Sequence, residues 1–497
     1  MEFFRNFPCI SIIICMCSAI ISSALDKDKA RQLNIVVILT DVVLSACTLI
    51  YTLTKGCETV YKMGRFPAPW GNEIRFGNLE ALMALFFCGI LLLSVIGGCE
   101  ILENEIDDFK ENLYYVLLDL LLASLLALIY TNDLFTAYVF VEICTIATCG
   151  LIMASEKGRA IEAATRYMIM AQIGSGLLLF GLCIIYDITG HLLMSNIKEA
   201  VAVLVATEQY HIPLVVGIAF MGIGLAIKSA LFPFHAWLPD SYGFSPVSSS
   251  AILSSLVSKG YIFLLLKIFY RVIGFEIVND SHLFVVFLIF GLMGMIAGSV
   301  SAIFEKDIRR MIAFSSIAQI GYIYMGFGMG TTEGMIASIF HILSHGATKS
   351  LLFISAAGLS KASGGSKIFK DLTGAAYRNK IAGMAFTTGA LSMVGVPLFS
   401  GFISKLLFAK AALETKPVIM FATLICLAIS TILNAIYFLK TVARIYTPCE
   451  TEYGKEKFKH NASFGVACVI FIIINLVLGL MSERVVWLIR SGLEFFA

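Results

Sequence analysis

Residues 212–273 read IPLVVGIAFMGIGLAIKSALFPFHAWLPDSYGFSPVSSSAILSSLVSKGYIFLLLKIFYRVI. Two apolar runs flank a short polar segment, and each approaches or exceeds the roughly 20 residues that a membrane-spanning helix needs. Each run also holds a lysine, Lys228 in the first and Lys259 in the second. An ionisable residue at mid-membrane costs at least about 2.5–3.5 kcal/mol on insertion scales, so it marks function by default. Pro233 follows Lys228 and interrupts the first run. Proline inside a helix removes a hydrogen bond and breaks or kinks the helix. In lipid the freed backbone groups have to be met by protein or by water in a cavity. A charge beside a broken span points to an ion site near the midplane.

The rest of the chain extends the pattern. Of its 497 residues, 59% are apolar and 14% charged, against roughly 45–50% and about 25% in a soluble globular protein. The 40 glycines and 38 phenylalanines suit a chain whose solvent is lipid, where glycine is tolerated in helices. We count about 14 candidate spans, near 4–24, 33–54, 79–99, 113–131, 134–153, 163–187, 212–236, 246–273, 282–304, 310–330, 334–360, 380–409, 416–444 and 462–490. The first has no small-residue cleavage site and reads as a retained helix rather than a signal peptide. Only the connections 55–78, 188–211, 361–379 and 445–461 have room for structure, and none is long enough to fold alone. The sequence therefore predicts an all-α integral membrane protein with one polytopic domain over residues 1–497. Lysines and arginines concentrate in the odd-numbered connections, as at Lys306, Arg309 and Arg310. By the positive-inside rule both termini are expected outside. The net charge of +2 excludes a nucleic-acid binder that works by a basic surface. The 13 cysteines contain no C-x-x-C and fall mostly in apolar runs, where they act as small hydrophobes. No metal site, haem, iron–sulfur cluster or other cofactor is expected.

Further charges lie inside spans. Glu142 is in the middle of LFTAYVFVEICTIATCGLIM (134–153), and His341, His345 and Lys349 lie in MIASIFHILSHGATKSLLF (335–353). Lys405 closes LSMVGVPLFSGFISKLLF (391–408). The spacing of His341, His345 and Lys349 places three protonatable groups on one helix face, over about 12 Å of axis. Zinc is disfavoured there, because no glutamate separates the histidines and no thiol is near in sequence. Lys259 and Lys405 have a plainer reading as snorkelling side chains, and Glu142 as a structural counter-ion. A proton relay accounts for the full set, since burial disfavours charged forms and brings acids and bases towards conditions where protons exchange. Pro397 precedes Lys405, whereas Pro233 follows Lys228. That reversal is what an inverted repeat gives.

At these residues the chain resembles the antiporter-like subunits of the complex I, Mrp antiporter and membrane-bound hydrogenase superfamily. The most specific element is KSALFPFHAWLPDSYGFSPVSSSAILSSLVSKGYIF (228–263), similar to the family signature across helices seven and eight. EKDIRRMIAFSSIAQIGY (305–322), HILSHGATKSLLFISAAGL (341–359) and VGVPLFSGFISK (394–405) resemble helices ten, eleven and broken helix twelve. MGRFPAPWGNEIRF (63–76) is similar to a segment of the Mrp and hydrogenase branches. The chain departs from the family at Phe76, Gly77 and Asn78, where an aspartate is common, and around Ser241 and Tyr242, where a histidine is common. The likeness extends over nearly the whole chain and is to the medium-length type found in Mrp antiporters.

The resemblance implies two inverted five-helix repeats with helices seven and twelve broken. It implies that Glu142 modulates the channel residue Lys228, that Lys259 connects centrally, that His341, His345 and Lys349 continue a hydrated axis, and that Lys405 ends it. It further implies an ion-translocating subunit, for protons or for sodium/proton antiport, in a prokaryotic inner membrane. The partners would be other membrane subunits of an Mrp-type antiporter or a complex-I-related hydrogenase or oxidoreductase. The chain itself shows no redox or hydrolytic motif, so any enzyme activity would belong to the assembly. The alternative is a self-contained secondary transporter for an organic solute.

Overall fold

The computed structural model describes residues 2–66, 71–448 and 462–496. Long apolar runs become helices because lipid offers the backbone no hydrogen-bonding partner. The first helices are α1 (Phe7–Ser23), α2 (Lys27–Lys55), α3 (Asn78–Leu102), α4 (Glu111–Tyr130), α5 (Leu134–Met153) and α6 (Gly158–Thr189). A short surface helix, α7 (Met194–Ala206), leads to α8 (His211–Lys228), the small α9 (Leu238–Phe244) and α10 (Val247–Ile273). Then come α11 (Leu283–Phe304), α12 (Ile308–Gly328), α13 (Thr332–Lys361), α14 (Lys380–Val394), α15 (Ser400–Leu413), α16 (Pro417–Ile445), α17 (Ala462–Leu480) and α18 (Ser482–Glu494).

Among the described residues, 12 helices are long and apolar enough to cross a membrane. Two expected spans fall outside that group. The span at 334–360 is the 30-residue α13, whose histidines, lysine and serines dilute its apolarity. The span at 380–409 is a pair of half-helices, α14 and α15, parted around Pro397. The span at 212–236 is likewise shortened, because α8 ends at Lys228 itself and α9 resumes beyond Pro233. Each break contains a non-glycine residue in the left-handed region, Ala230 at φ 63° and Leu398 at φ 85°. Such conformations cost about 1–3 kcal/mol and persist only where the surroundings enforce them. The last expected span, 462–490, divides at Met481 into the apolar α17 and the charged α18, whose Arg490 pairs with Glu333 at 2.6 Å.

The connection at 55–78 holds an antiparallel hairpin, β1 (Thr59–Lys62) with β2 (Glu73–Phe76), in which Thr59 faces Phe76 and Lys62 faces Glu73. Residues 67–70 of the MGRFPAPWGNEIRF segment, most of the 445–461 connection and its Lys455, Lys457 and Lys459 lie outside the described residues. Helix α13 forms the axis of the molecule. Every residue from Gly334 to Ser360 is buried, against α3, α10, α12, α14, α15 and α17. At the periphery α1, α2 and α16 present Ile13, Ile20, Val36, Val418 and Ile432 outward, the apolar faces that lipid covers.

Candidate functional site

Two glycines set the first charge in place. A Cβ on Gly224 of α8 would lie 2.6 Å from the Gly174 carbonyl of α6, and one on Gly174 would meet Lys228 Cγ at 3.0 Å. Small residues let the two backbones touch and press Lys228, the last residue of α8, into the interior. Its Nζ donates to Thr145 Oγ1 at 2.6 Å, lies 3.6 Å from Glu142 Oε1 and sits 5.4 Å from the Tyr261 ring centroid. The Lys228 side chain is fully enclosed, whereas that of Glu142 is 23% exposed. Glu142 also accepts from Ser175 Oγ and, at 3.3 Å, from Gln172 Nε2. Its carboxylate therefore has hydrogen-bond partners other than the lysine.

Thr145 and Tyr261 lead onward. Their hydroxyls lie 3.4 Å apart, and Tyr261 is two residues from the buried Lys259 on α10. The backbone widens to a π-helical turn over Leu253–Val257, a distortion frequent at functional sites. Lys259 Nζ donates to the Ser254 carbonyl there. Ser254 Oγ meets Ser316 Oγ of α12 at 3.1 Å. The neighbouring Ser315 accepts from Lys349 Nζ, which also donates to the Ile312 carbonyl at 2.8 Å.

On α13 the His341 and His345 rings are 5.7 Å apart. His345 lies within electrostatic reach of Lys259, Lys349 and His341. Both its ring nitrogens and His341 Nε2 have no hydrogen-bond partner. His341 Nδ1 meets Ser404 Oγ of α15 at 2.7 Å, and the ring lies within reach of both Lys259 and Lys405. Lys405 is half-buried and donates to the Val394 carbonyl at 2.7 Å, a group freed by the end of α14. Gly395, at φ 91°, leaves space for that lysine, since a Cβ would meet its Cδ at 3.0 Å. The seven residues singled out in the sequence thus fall along one succession of neighbouring groups, Glu142, Lys228, Lys259, Lys349, His345, His341 and Lys405, in which His345 is placed by electrostatic reach and not by a hydrogen bond.

Other buried charges were not singled out. Asp41 in α2 and Asp119 in α4 are wholly buried, and the rule that finds Glu142 applies equally to both. Arg271 is another. It lies inside α10, buried, pairing with Glu58 and with Glu80 at 2.8 Å, under the Phe496 ring. Its position beside the apolar end of a run hid this. Lys267, one turn earlier, donates to the Leu128, Ile129 and Thr131 carbonyls at the end of α4.

Residues 131–431 match the family described as NADH:quinone oxidoreductase/Mrp antiporter, transmembrane. The chain belongs to this family. NADH-quinone oxidoreductase subunit N of Desulforudis audaxviator is 31% identical over 460 residues, covering 89% of this chain and 88% of that protein. A Na(+)/H(+) antiporter subunit from Alkalihalophilus pseudofirmus is 26% identical over 376 residues, covering 76% of this chain and 74% of that protein. Among solved structures, a chain of the membrane-bound sulfane sulfur reductase, an archaeal respiratory membrane complex, superposes with a TM-score of 0.88 at 23% identity, covering 100% of this chain and 98% of that one. That likeness shows the antiporter-like membrane fold. The matched family stretch begins just before α5 and encloses the whole series from Glu142 to Lys405. An organic-solute transporter finds no support in these relatives.

Proposed function

We propose that this family member is an ion-translocating membrane subunit of a multi-subunit complex, moving protons along the series from Glu142 to Lys405. The observation that carries this is the succession of buried titratable groups with hydroxyls beside them. Thr145 and Tyr261 extend from Lys228, Ser254 and Ser316 lead from Lys259 to α12, Ser315 meets Lys349 and Ser404 meets His341, while His345 stands in electrostatic reach of Lys259, Lys349 and His341 without a hydrogen bond. Neutral amine and imidazole groups bind protons, and the ammonium that results has no lone pair to offer a metal cation. The row therefore suits protons better than sodium.

In this reading Glu142 sets the load on Lys228. An opposite charge nearby favours the ammonium form. When the carboxylate moves away from the lysine, still held by Ser175 and Gln172, the enclosed lysine loses that support. Its proton then passes by way of Thr145 and Tyr261 towards Lys259. The histidines carry it across α13 to Lys405. The relatives support a place within a larger membrane assembly of NADH-quinone oxidoreductase or Mrp type; the bias of basic residues supports both termini outside, in a prokaryotic inner membrane. The test is the purified complex in proteoliposomes. Glu142→Ala abolishes or strongly reduces proton movement with subunit composition unchanged; full transport in that variant overturns the reading.

A further inference from the structure

Away from the lysine row, α1, α2 and α4 enclose a second polar seam. Helix α1 turns Ser11, Cys15, Ser18 and Ser22 to one face, and α2 contributes Asn34 and Asp41. Helix α4 contributes Asp119. The three-and-four spacing on α1 is that of one helix face. Asp119 accepts from Ser18 Oγ and from Asn34 Nδ2, both at 2.6 Å, and Ser22 faces the same carboxylate. Asp41 accepts from Cys15 Sγ at 2.8 Å and lies within electrostatic reach of Asp119. Asp41, Asp119, Asn34 and Ser22 are all fully buried. Among the described residues neither carboxylate has a lysine, arginine or histidine partner.

Two buried carboxylates without a cation are costly at this depth. Their charge has to be cancelled by protons or by a bound cation. Three buried oxygens bear on the choice: Ser22 Oγ, Asn34 Oδ1 and Asp41 Oδ1 make no close hydrogen bond, although Ser22 stands beside Asp119 and Ser11 beside Asp41. A proton on a carboxylate supplies a single donor. A small bare cation satisfies several oxygens at once. The Asn34 amide can turn its oxygen towards the carboxylate, because the two amide ends are interchangeable in shape. The donor set is then hydroxyl, amide and carboxylate oxygen, which suits a hard cation. No group of three or more His, Cys, Asp and Glu that could hold a metal ion occurs among the described residues, so the oxygens of serine and asparagine side chains have to complete the set.

We propose that Asp119, with Ser18, Ser22 and Asn34, binds a sodium ion, with Asp41 as a second negative charge one step along the seam. This site is separate from the proposed proton row and lies before the stretch that matches the family, residues 131–431.

The purified complex carrying this chain, equilibrated with radioactive sodium in choline buffer, tests it. The Asp119→Asn complex should bind one sodium fewer than the wild type. Asn34→Leu and the Ser18→Ala/Ser22→Ala double variant should weaken that sodium about tenfold or more, the scale on which metal sites respond to loss of an orienting partner. Lys228→Ala should leave sodium binding unchanged, which separates this site from the proton row. A carbodiimide that attacks protonated buried carboxyls supplies a second readout, with Asp119 labelled in choline and protected by sodium. Equal sodium stoichiometry and affinity in the wild type and the variants overturns the proposal. So does Asp119 labelling that sodium leaves unchanged, which would make the seam a proton site. Should Asp119→Asn fail to assemble, the Asn34 and serine variants decide on affinity alone.

Discussion

Glu142 keeps 23% of its side chain exposed, while Lys228, 3.6 Å away, keeps none. The two halves of this pair are therefore unequal. Removing the glutamate strands an enclosed ammonium, whereas removing the lysine leaves a carboxylate still held by Ser175 and Gln172. Breaking a buried pair hurts mainly through the charge left behind. Glu142→Ala should therefore lower the melting temperature of the purified complex more than Lys228→Ala, and the double variant should melt above Glu142→Ala alone. Differential scanning fluorimetry measures this, and equal losses in both single variants would contradict the asymmetry. Further along, Lys259→His should keep measurable proton transfer in proteoliposomes where Lys259→Ala loses it, because imidazole carries protons near neutral pH. Equal loss in both would assign Lys259 a fixed charge or a packing role. The titratable members of the row were legible in the sequence, because a lone charge in an apolar run is conspicuous. The bridging hydroxyls were not. A serine in a spanning helix commonly bonds its own backbone one turn back, as Ser316 does with Ile312. Nothing in the sequence says that Ser316 also meets Ser254 of another helix.

Helix contacts make the geometry of the row. The α6–α8 crossing rests on Gly174 and Gly224, whose Cβ positions are taken by the opposing backbone. Helices α11 and α12 cross the same way, with a Cβ on Gly321 falling 2.6 Å from the Gly291 carbonyl. A methyl group at Gly224 has to push α6 away and carries Lys228 with it. We expect Gly224→Ala to cost roughly 1–3 kcal/mol, as overpacked sites do, and to slow transport. Gly89→Ala, which meets nothing within 4 Å, should leave both unchanged; thermal unfolding and proton uptake on the two variants check this. At this scale the sequence showed most spans and both broken helices, since apolar length and internal proline are local signals. It misplaced the end of the last span. LVLGLMSERVVWLI stays largely apolar across Met481, and only packing separates α17 from α18. The hairpin in the 55–78 connection had no clear alternation to announce it.

Over the whole molecule, the orientation expected from the basic residues has a direct check. Cys57 is exposed in the connection between α2 and α3. With both termini outside, that connection is outside too. A membrane-impermeant maleimide should label Cys57 in intact cells, and a Cys57→Ser variant should lose that label. Labelling only after the cells are opened would invert the topology. The molecule also places its charges at different distances from the bilayer. Helix α13 is covered by protein at every residue from Gly334 to Ser360, so the groups at the centre of the row never meet an acyl chain. Bilayer thickness acts on a helix through mismatch at its lipid-facing surface, and α13 has none over this stretch. Thicker or thinner membranes press first on α1, α2 and α16, at the rim. The centre of the row is then insulated from lipid composition, so the same buried core keeps its geometry in membranes of different thickness while its rim adapts by tilt.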